Sequence, residues 1–212
     1  MGRTVSLPPL ELSWSLPEHW LFVPLDAGDL EAAVEEALDE SAERDPLVMA
    51  AYAELRQMLL GYARARAADG SIAVLVRWGA TERGDLLSAY VSVDRYERGA
   101  GDVGDELEDR LAGLLEERPD DHAAPFVDRI SAPLGKGLRR HSVVRVPAAD
   151  DERAPGPEVE RLALHVEIWL RVQGRQDELR FDLTSFQVGH AALLAEELGL
   201  VVGSLEHASG RS

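Results

Sequence analysis

Six histidines offer the most versatile chemistry in this sequence: His19, His122, His141, His165, His190 and His207. None has the HExxH or i, i+4 spacing that places two metal ligands on one helix face. His141 and His165 fall on predicted strands, where they could join Glu167 or Asp182 across a sheet as a metal site or an acid–base pair. The alternative is two histidines on the polar faces of strands that need not be neighbours. We favour the alternative, and expect no catalytic residue and no metal.

Other catalytic signatures fail at specific positions. The chain has no cysteine, so it has no thiolate nucleophile, thiolate zinc site or disulfide. No serine lies in a G-x-S-x-G motif, and the segment around Lys136 lacks the spacing of a phosphate-binding loop. Residues 99–104 (GAGDVG) match G-x-G-x-x-G, but Asp102 and Asp105 would repel a pyrophosphate. We therefore expect no cofactor.

The charge of the chain restricts the classes of partner. Its 212 residues include 22 Lys+Arg and 39 Asp+Glu, which gives a formal net charge of −17. Such a chain is not expected to coat nucleic acid or an anionic membrane. It has neither an apolar run of membrane-spanning length nor the pattern of a secretory signal. We expect a soluble, cytoplasmic protein with one domain over residues 1–212, ending in a short flexible polar tail at about 207–212.

Hydrophobic periodicity predicts the elements that position these residues. Every second residue from Leu162 to Val172 is apolar, which is the clearest strand pattern in the chain. Further strands are expected at residues 10–16, 20–25, 71–78, 86–94, 126–133, 137–146 and 179–183. Helical spacing predicts helices after Asp26 or Asp29, from Pro46 to near Gly70, after Asp102, and over 189–205. This order predicts an α+β fold, with one mainly antiparallel sheet and helices packed on its faces.

The order of elements and the two ends of the predicted domain resemble the Mog1/PsbP-like fold. The entry, Leu12-Ser13-Trp14-Ser15-Leu16-Pro17-Glu18-His19-Trp20, is similar to a strand, an "LP" and a tryptophan that opens the second strand. The exit resembles a strand that runs into "FDLTSF" and a closing helix. The closest likeness is to small actinobacterial proteins of unknown function with this pattern. The resemblance implies a protein that binds other proteins and has no shared catalytic motif.

Two surfaces are candidates for an interaction site. The first is acidic and includes Glu35, Glu36 and Glu40 within residues 29–45, with a further run of acids over 102–121. It would dock a basic partner, but for the acidic runs taken alone we favour solvated helix faces that keep the protein soluble. The second is a polar sheet face formed by three strands. It carries Arg139, His141 and Arg145 on one strand, His165, Glu167, Trp169 and Arg171 on another, and Arg180 and Asp182 on a third. Either it is an exposed interface or a helix layer covers it.

Three hypotheses for function follow. The first is a non-catalytic protein-interaction module or assembly adaptor whose acidic surface docks a partner protein. The second is a small enzyme or ligand-binding domain with a pocket between the helix pair at residues 28–69 and the sheet. The third is a homo-oligomer, which an exposed apolar face around Tyr52, Leu59 and Tyr62 would support. An enzyme should bring at least two ionisable groups into one concave site.

Overall fold

The computed structural model describes residues 3–7, 10–81, 83–97, 113–116, 118–147, 160–175 and 177–207. The strands, in chain order, are β1 (Arg3–Leu7), β2 (Leu12–Leu16), β3 (Trp20–Pro24), β4 (Ala73–Ala80), β5 (Leu86–Glu97), β6 (Phe126–Ala132), β7 (Gly135–Pro147), β8 (Glu160–Val172), β9 (Asp177–Ser185) and β10 (Glu206–His207). The helices are α1 (Leu30–Ala42), α2 (Pro46–Ala50), α3 (Tyr52–Ala68) and α4 (Ala191–Gly203). The fold class is α+β, as the sequence predicted.

Within the described residues, seven strands form the main sheet in the spatial order β3-β4-β5-β9-β8-β7-β6. Every neighbouring pair is antiparallel. The strand predicted over residues 10–16 does not join this sheet: its β2 pairs with β1 and β10 in a smaller one. The prediction of a single sheet was therefore wrong, because alternation identifies a strand but not its partner.

Alternating side chains give the main sheet two different faces. On one face, α4 and the small sheet bury a large core that includes Trp14, Phe22 and Phe181. Trp14 meets Phe22 edge to face, with 5.5 Å between the ring centroids. On the other face, α1, α2 and α3 cover the apolar residues of β3 and β4, such as Val74 and Val76. These helices cover only the end of the sheet that contains β3 and β4. The site described below lies on the same face, beside the covered part.

Side-chain caps explain where the first helices begin. Asp29 accepts a hydrogen bond from the Ala32 amide at 3.1 Å and starts α1. Asp45 accepts one from the Leu47 amide at 2.9 Å, and Pro46 occupies the first turn of α2. The helix predicted from Pro46 to Gly70 is interrupted at Ala51, whose φ of −104° and ψ of 11° lie outside the helical region.

Some predictions fall wholly or largely outside the described residues. They are the glycine-rich segment at 99–104, the acidic run at 102–121, the helix after Asp102, of which residues 113–115 are described and helical, and the tail after His207. Among the described helices, none is long and apolar enough to cross a membrane.

Candidate functional site

The sheet face beneath the helices is divided into two halves. In the half formed by β3, β4 and β5, apolar residues contact α1, α2 and α3, and we call this the apolar half. Beyond β5 the same face carries charged and aromatic residues on β7, β8 and β9. We call this the polar half, defined by Arg140, Ser142, His165, Glu167, Trp169, Arg171, Arg180 and Asp182. Cross-strand pairing aligns them: Glu167 lies opposite both Arg140 and Asp182, and Trp169 lies opposite Arg180.

The strand β8 supplies four of the predicted surface residues to the polar half. His165, Glu167, Trp169 and Arg171 alternate with the buried residues Val166, Ile168 and Leu170, so all four lie on one face. Glu167 is itself buried, with 4% of its surface exposed, whereas His165, Trp169 and Arg171 are half-buried.

On β7, the residues that face the polar half are not the ones that the sequence predicted. Arg139 pairs with Ile168 and His141 pairs with Val166, and both partners belong to the core beneath α4. Directly paired residues share a face, so Arg139 and His141 lie on the side away from His165. The prediction that these two residues, and with them Arg145 on the same face of β7, would line the polar face was therefore wrong. Arg140 and Ser142 take their place, because a one-residue offset exchanges the faces of a strand.

Arg139 and His141 have separate local environments on the α4 side. The guanidinium of Arg139 donates two hydrogen bonds to the Asp128 carboxylate, at 2.9 and 2.8 Å, and a third to the Ala195 carbonyl at 3.3 Å. The ring of His141 lies 4.8 Å from that of Phe126. Burial, and then the charge of Arg139, lower the pKa of His141.

A short contact joins His165 and Asp182 at the centre of the polar half. Nε2 of His165 lies 2.6 Å from Oδ1 of Asp182, and a guanidinium nitrogen of Arg180 contacts Oδ2 of the same carboxylate. Burial alone would raise the pKa of Asp182, but the hydrogen bond with His165 and the charge of Arg180 outweigh it and lower the pKa to about 2. Asp182 is therefore ionised at any physiological pH.

Arginines neutralise the other buried acids of this region. Arg118 lies 2.6 Å from Oε2 of Glu167. Arg140 is completely buried and lies 2.5 Å from Asp121, while it also donates to the Ser142 hydroxyl at 2.8 Å and to the Leu114 carbonyl at 3.0 Å. Buried ions require such partners. The polar half is thus a set of matched pairs rather than a surface of one sign.

A cavity of about 470 Å³ opens between α3 and the polar half, and we call it the central cleft. Its lining residues come from α3, β5, β8, β9 and the residue after β9: Met58, Tyr62, Arg66, Tyr90, Ser92, His165, Asp182, Thr184 and Phe186. Tyr62 and Tyr90 lie with their rings 5.3 Å apart, and Arg66 lies 5.7 Å from the Tyr62 ring centre. Burial raises the pKa of both tyrosines, so they stay neutral.

The cleft is lined by the ionisable pair His165 and Asp182 and by two tyrosines, Tyr62 and Tyr90, which we call the aromatic wall. If Nε2 of His165 carries the proton toward Asp182, Nδ1 is left as a hydrogen-bond acceptor. The ligand atoms of His165, Glu167 and Asp182 also lie within 4.8 Å of one another, which is compact enough for a metal ion. However, Arg118 and Arg180 already neutralise the two carboxylates. The charge balance therefore favours a hydrogen-bonding pair over a cation site.

The acids predicted to dock a basic partner are largely paired with arginines. Glu35 lies 2.6 Å from Arg56 of α3, and Glu40 lies 3.3 Å from Arg44. Glu36 is exposed on the same helix. Pairing of this kind reduces the net negative potential that α1 would present to a partner.

The aromatic wall was not identified as a functional feature from the sequence. In the sequence, Tyr62 fits the apolar spacing of a helix, and this spacing gives no sign that its ring would line a cleft. The apolar face proposed for a homo-oligomer is also absent in the described residues, because Leu59 of α3 is only 1% exposed and lies in the core shared with α1, β3 and β4. Neither outcome could be inferred without the position of α3 over the sheet.

Comparisons with known proteins do not indicate a function for this chain. The chain matches no family model, no curated protein and no solved structure. The resemblance to the Mog1/PsbP-like fold therefore stays a prediction.

Proposed function

We propose that the protein binds a small organic ligand in the central cleft, as the second hypothesis from the sequence stated. The observation that carries the proposal is the His165–Asp182 pair, which lines a cavity of about 470 Å³ together with Tyr62 and Tyr90. Ligand sites are typically concave, mainly apolar, and equipped with a few convergent polar groups.

The chemistry of the lining indicates which ligands fit. The tyrosine rings and Met58 provide an apolar, polarisable wall for an aromatic part of the ligand. With the Nε2 proton directed toward the ionised Asp182, Nδ1 of His165 would accept a hydrogen bond from a ligand N–H or O–H group. The proposed ligand is therefore a ring-bearing molecule with a hydrogen-bond donor, and a phenol or a nitrogen heterocycle would satisfy both requirements.

The position of the pair distinguishes this proposal from a purely structural role. A histidine–carboxylate contact can simply tie two strands together, and His165 and Asp182 do lie on neighbouring strands. A structural contact does not require a cavity beside it, whereas here both residues line the cleft. This arrangement satisfies the criterion of two ionisable groups in one concave site.

A fragment screen by NMR tests the proposal. Phenols and nitrogen heterocycles are added to the ¹⁵N-labelled protein, and affinities are then measured by titration. We expect saturable shifts at Tyr62, Tyr90 and His165, and a loss of affinity of roughly tenfold in His165→Gln, because one hydrogen bond to a polarised group is removed.

The matched control is His141→Gln, which changes a half-buried histidine on the neighbouring strand and on the opposite face. It should leave the affinity unchanged. Shifts that map away from the cleft, or equal losses in the two variants, would contradict the proposal.

The adaptor remains a second candidate, and one observation favours it. The exposed residues Leu47 and Met49 lie on α2, which contacts the acidic helix α1, so apolar and acidic groups are close together. Replacing Glu35, Glu36 and Glu40 with lysine should weaken capture of a basic partner at low salt. The same charge change at Glu11, Glu196 and Glu206 serves as the control, and unchanged capture in the α1 variant would eliminate this surface.

A further inference from the structure

A second cavity, of about 510 Å³, lies where β4 ends, and we call it the β4 cleft. Its charged lining comes from four separate parts of the chain: the turn before β3, β4 itself, the turn after β4, and the segment made of α4 and the residue just before it. These residues are His19, Arg77, Arg83, Asp85, His190 and Glu197. None of them lines the central cleft.

Arg77 is the unusual residue of this cleft. It is only 3% exposed and lies in a strand whose other inward-facing residues are apolar. Its guanidinium contacts Glu197 through Nε at 3.2 Å and donates through Nη1 to the Gly79 carbonyl at 2.5 Å. These two contacts use two of the five N–H donors of an arginine. A buried cation that also lines a cavity is well placed to bind a carboxylate from solution.

Gly79 allows the polar groups of the cleft to approach one another. Its φ of +142° is one that residues with a side chain rarely adopt. A Cβ at this position would lie 3.0 Å from Nδ1 of His19, 3.3 Å from Oδ2 of Asp45 and 3.4 Å from Nη1 of Arg77. Because a methyl group would push these atoms apart, glycine is what permits their convergence.

Charges of both signs face the cavity. Arg77 and Arg83 supply the cations, and Asp85 and Glu197 supply the anions. The two histidines each lie near a carboxylate: His19 is 3.7 Å from Asp45, and His190 is 3.9 Å from Asp85. A ligand with only a negative charge would be repelled by the acids, and a ligand with only a positive charge would be repelled by the arginines. A ligand that carries both charges would match the cleft better than either.

We infer that the β4 cleft binds a small zwitterion of the free α-amino acid class. The carboxylate of the ligand pairs with Arg83 and with the N–H donors of Arg77 that Glu197 and Gly79 do not use, and its ammonium group pairs with Asp85. Leu193 and Ala80, which also line the cleft, provide apolar contact for a side chain. This site is independent of the central cleft, so the failure of either proposal leaves the other standing.

Binding measurements with matched ligands test the inference. The L-amino acids are screened by NMR with the ¹⁵N-labelled protein, and the tightest one is compared by calorimetry with its des-amino acid and its decarboxylated amine. We expect saturable binding of the amino acid, with shifts at His19 and His190. Each analogue should bind roughly tenfold more weakly or worse, because one charge-assisted contact is missing.

Two variants complete the test. Arg83→Gln removes an exposed cation of the cleft and should weaken binding of the amino acid, while Arg129→Gln, an exposed arginine on β6, should not. The inference is overturned if no amino acid binds saturably, if either analogue binds as tightly as the amino acid, or if the two variants weaken binding equally.

Discussion

The apolar and the polar halves of one sheet face share the same backbone geometry and differ in every second side chain. In the apolar half, Val74 and Val76 contact a layer of three helices, and the buried groups need no specific partner. In the polar half, each buried charge depends on one or two named partners, as Arg140 depends on Asp121. Apolar burial tolerates small displacements, whereas ion pairs specify positions. The comparison teaches that the first half mainly stabilises the fold, and that the second fixes the geometry beside the central cleft.

The largest expected effects are losses of packing in the apolar half. Leu59→Ala removes a side chain that is 1% exposed, and should lower the free energy of unfolding by about 3 kcal/mol. Urea unfolding followed by circular dichroism measures the change. Leu47→Ala, at a residue that is 45% exposed, is the control and should cost well under that amount. Equal costs would show that α3 does not pack as described.

Arg140→Ala should destabilise the protein by a comparable amount, about 3 kcal/mol, because it leaves the buried Asp121 without its guanidinium partner. Arg139→Ala is the matched control, since it removes an adjacent arginine whose pair with Asp128 is partly exposed. We expect the control to cost about 1 kcal/mol. A reversed order would contradict the assignment of the two arginines to opposite faces.

Asp182→Asn should cost about 2 kcal/mol, because the carboxylate stabilises both His165 and Arg180. The same variant should keep its fold, since the amide is close in size to the carboxylate. A change within 0.5 kcal/mol of zero, a bound taken as roughly the scatter of surface substitutions, would show that the pair does not hold in solution.

The pH dependence of stability tests the lowered pKa of Asp182. The pKa of Asp182 is about 2 in the folded protein and lies below the ordinary aspartate value of about 3.9 in the unfolded chain. Its contribution is therefore complete above about pH 5 and is lost as the pH falls through the unfolded value toward 2. The difference in unfolding free energy between the wild type and Asp182→Asn should shrink over that interval. A difference that stays constant down to pH 2 would contradict the lowered pKa.

The smallest effect is expected at the surface. Glu35→Gln breaks an exposed pair with Arg56, and should change the free energy of unfolding by less than about 1 kcal/mol, with a smaller effect at high salt. Thermal unfolding at two salt concentrations is sufficient to measure it. A larger, salt-independent loss would show that α1 is held to α3 by this contact rather than by its apolar side.

The sequence predicted the parts of the site that depend on one strand alone. The alternation of β8 correctly placed His165, Glu167, Trp169 and Arg171 on one face, and Asp182 was already considered as a partner of a histidine. On β7, consecutive arginines at 139 and 140 make both faces polar, so periodicity could not tell which of them belonged with β8.

The parts that could not be predicted depend on elements distant in the chain. The central cleft forms because α3 lies beside β9 and β8, which follow it in the chain only after β4, β5, β6 and β7. The β4 cleft brings His19 to Arg77 and His190 in the same way. Local patterns carry no information about such contacts. The one local indication of the β4 cleft is Arg77, a charged residue in the otherwise apolar segment 73–78.

The most direct test of the central claim is a crystal structure of the protein with the tightest-binding aromatic fragment. We predict electron density for the fragment in the central cleft, with its ring against Tyr62 and Tyr90 and its donor within hydrogen-bond distance of His165. Density at another site, together with a central cleft filled only by solvent, would contradict the claim that the His165–Asp182 pair organises a ligand-binding site.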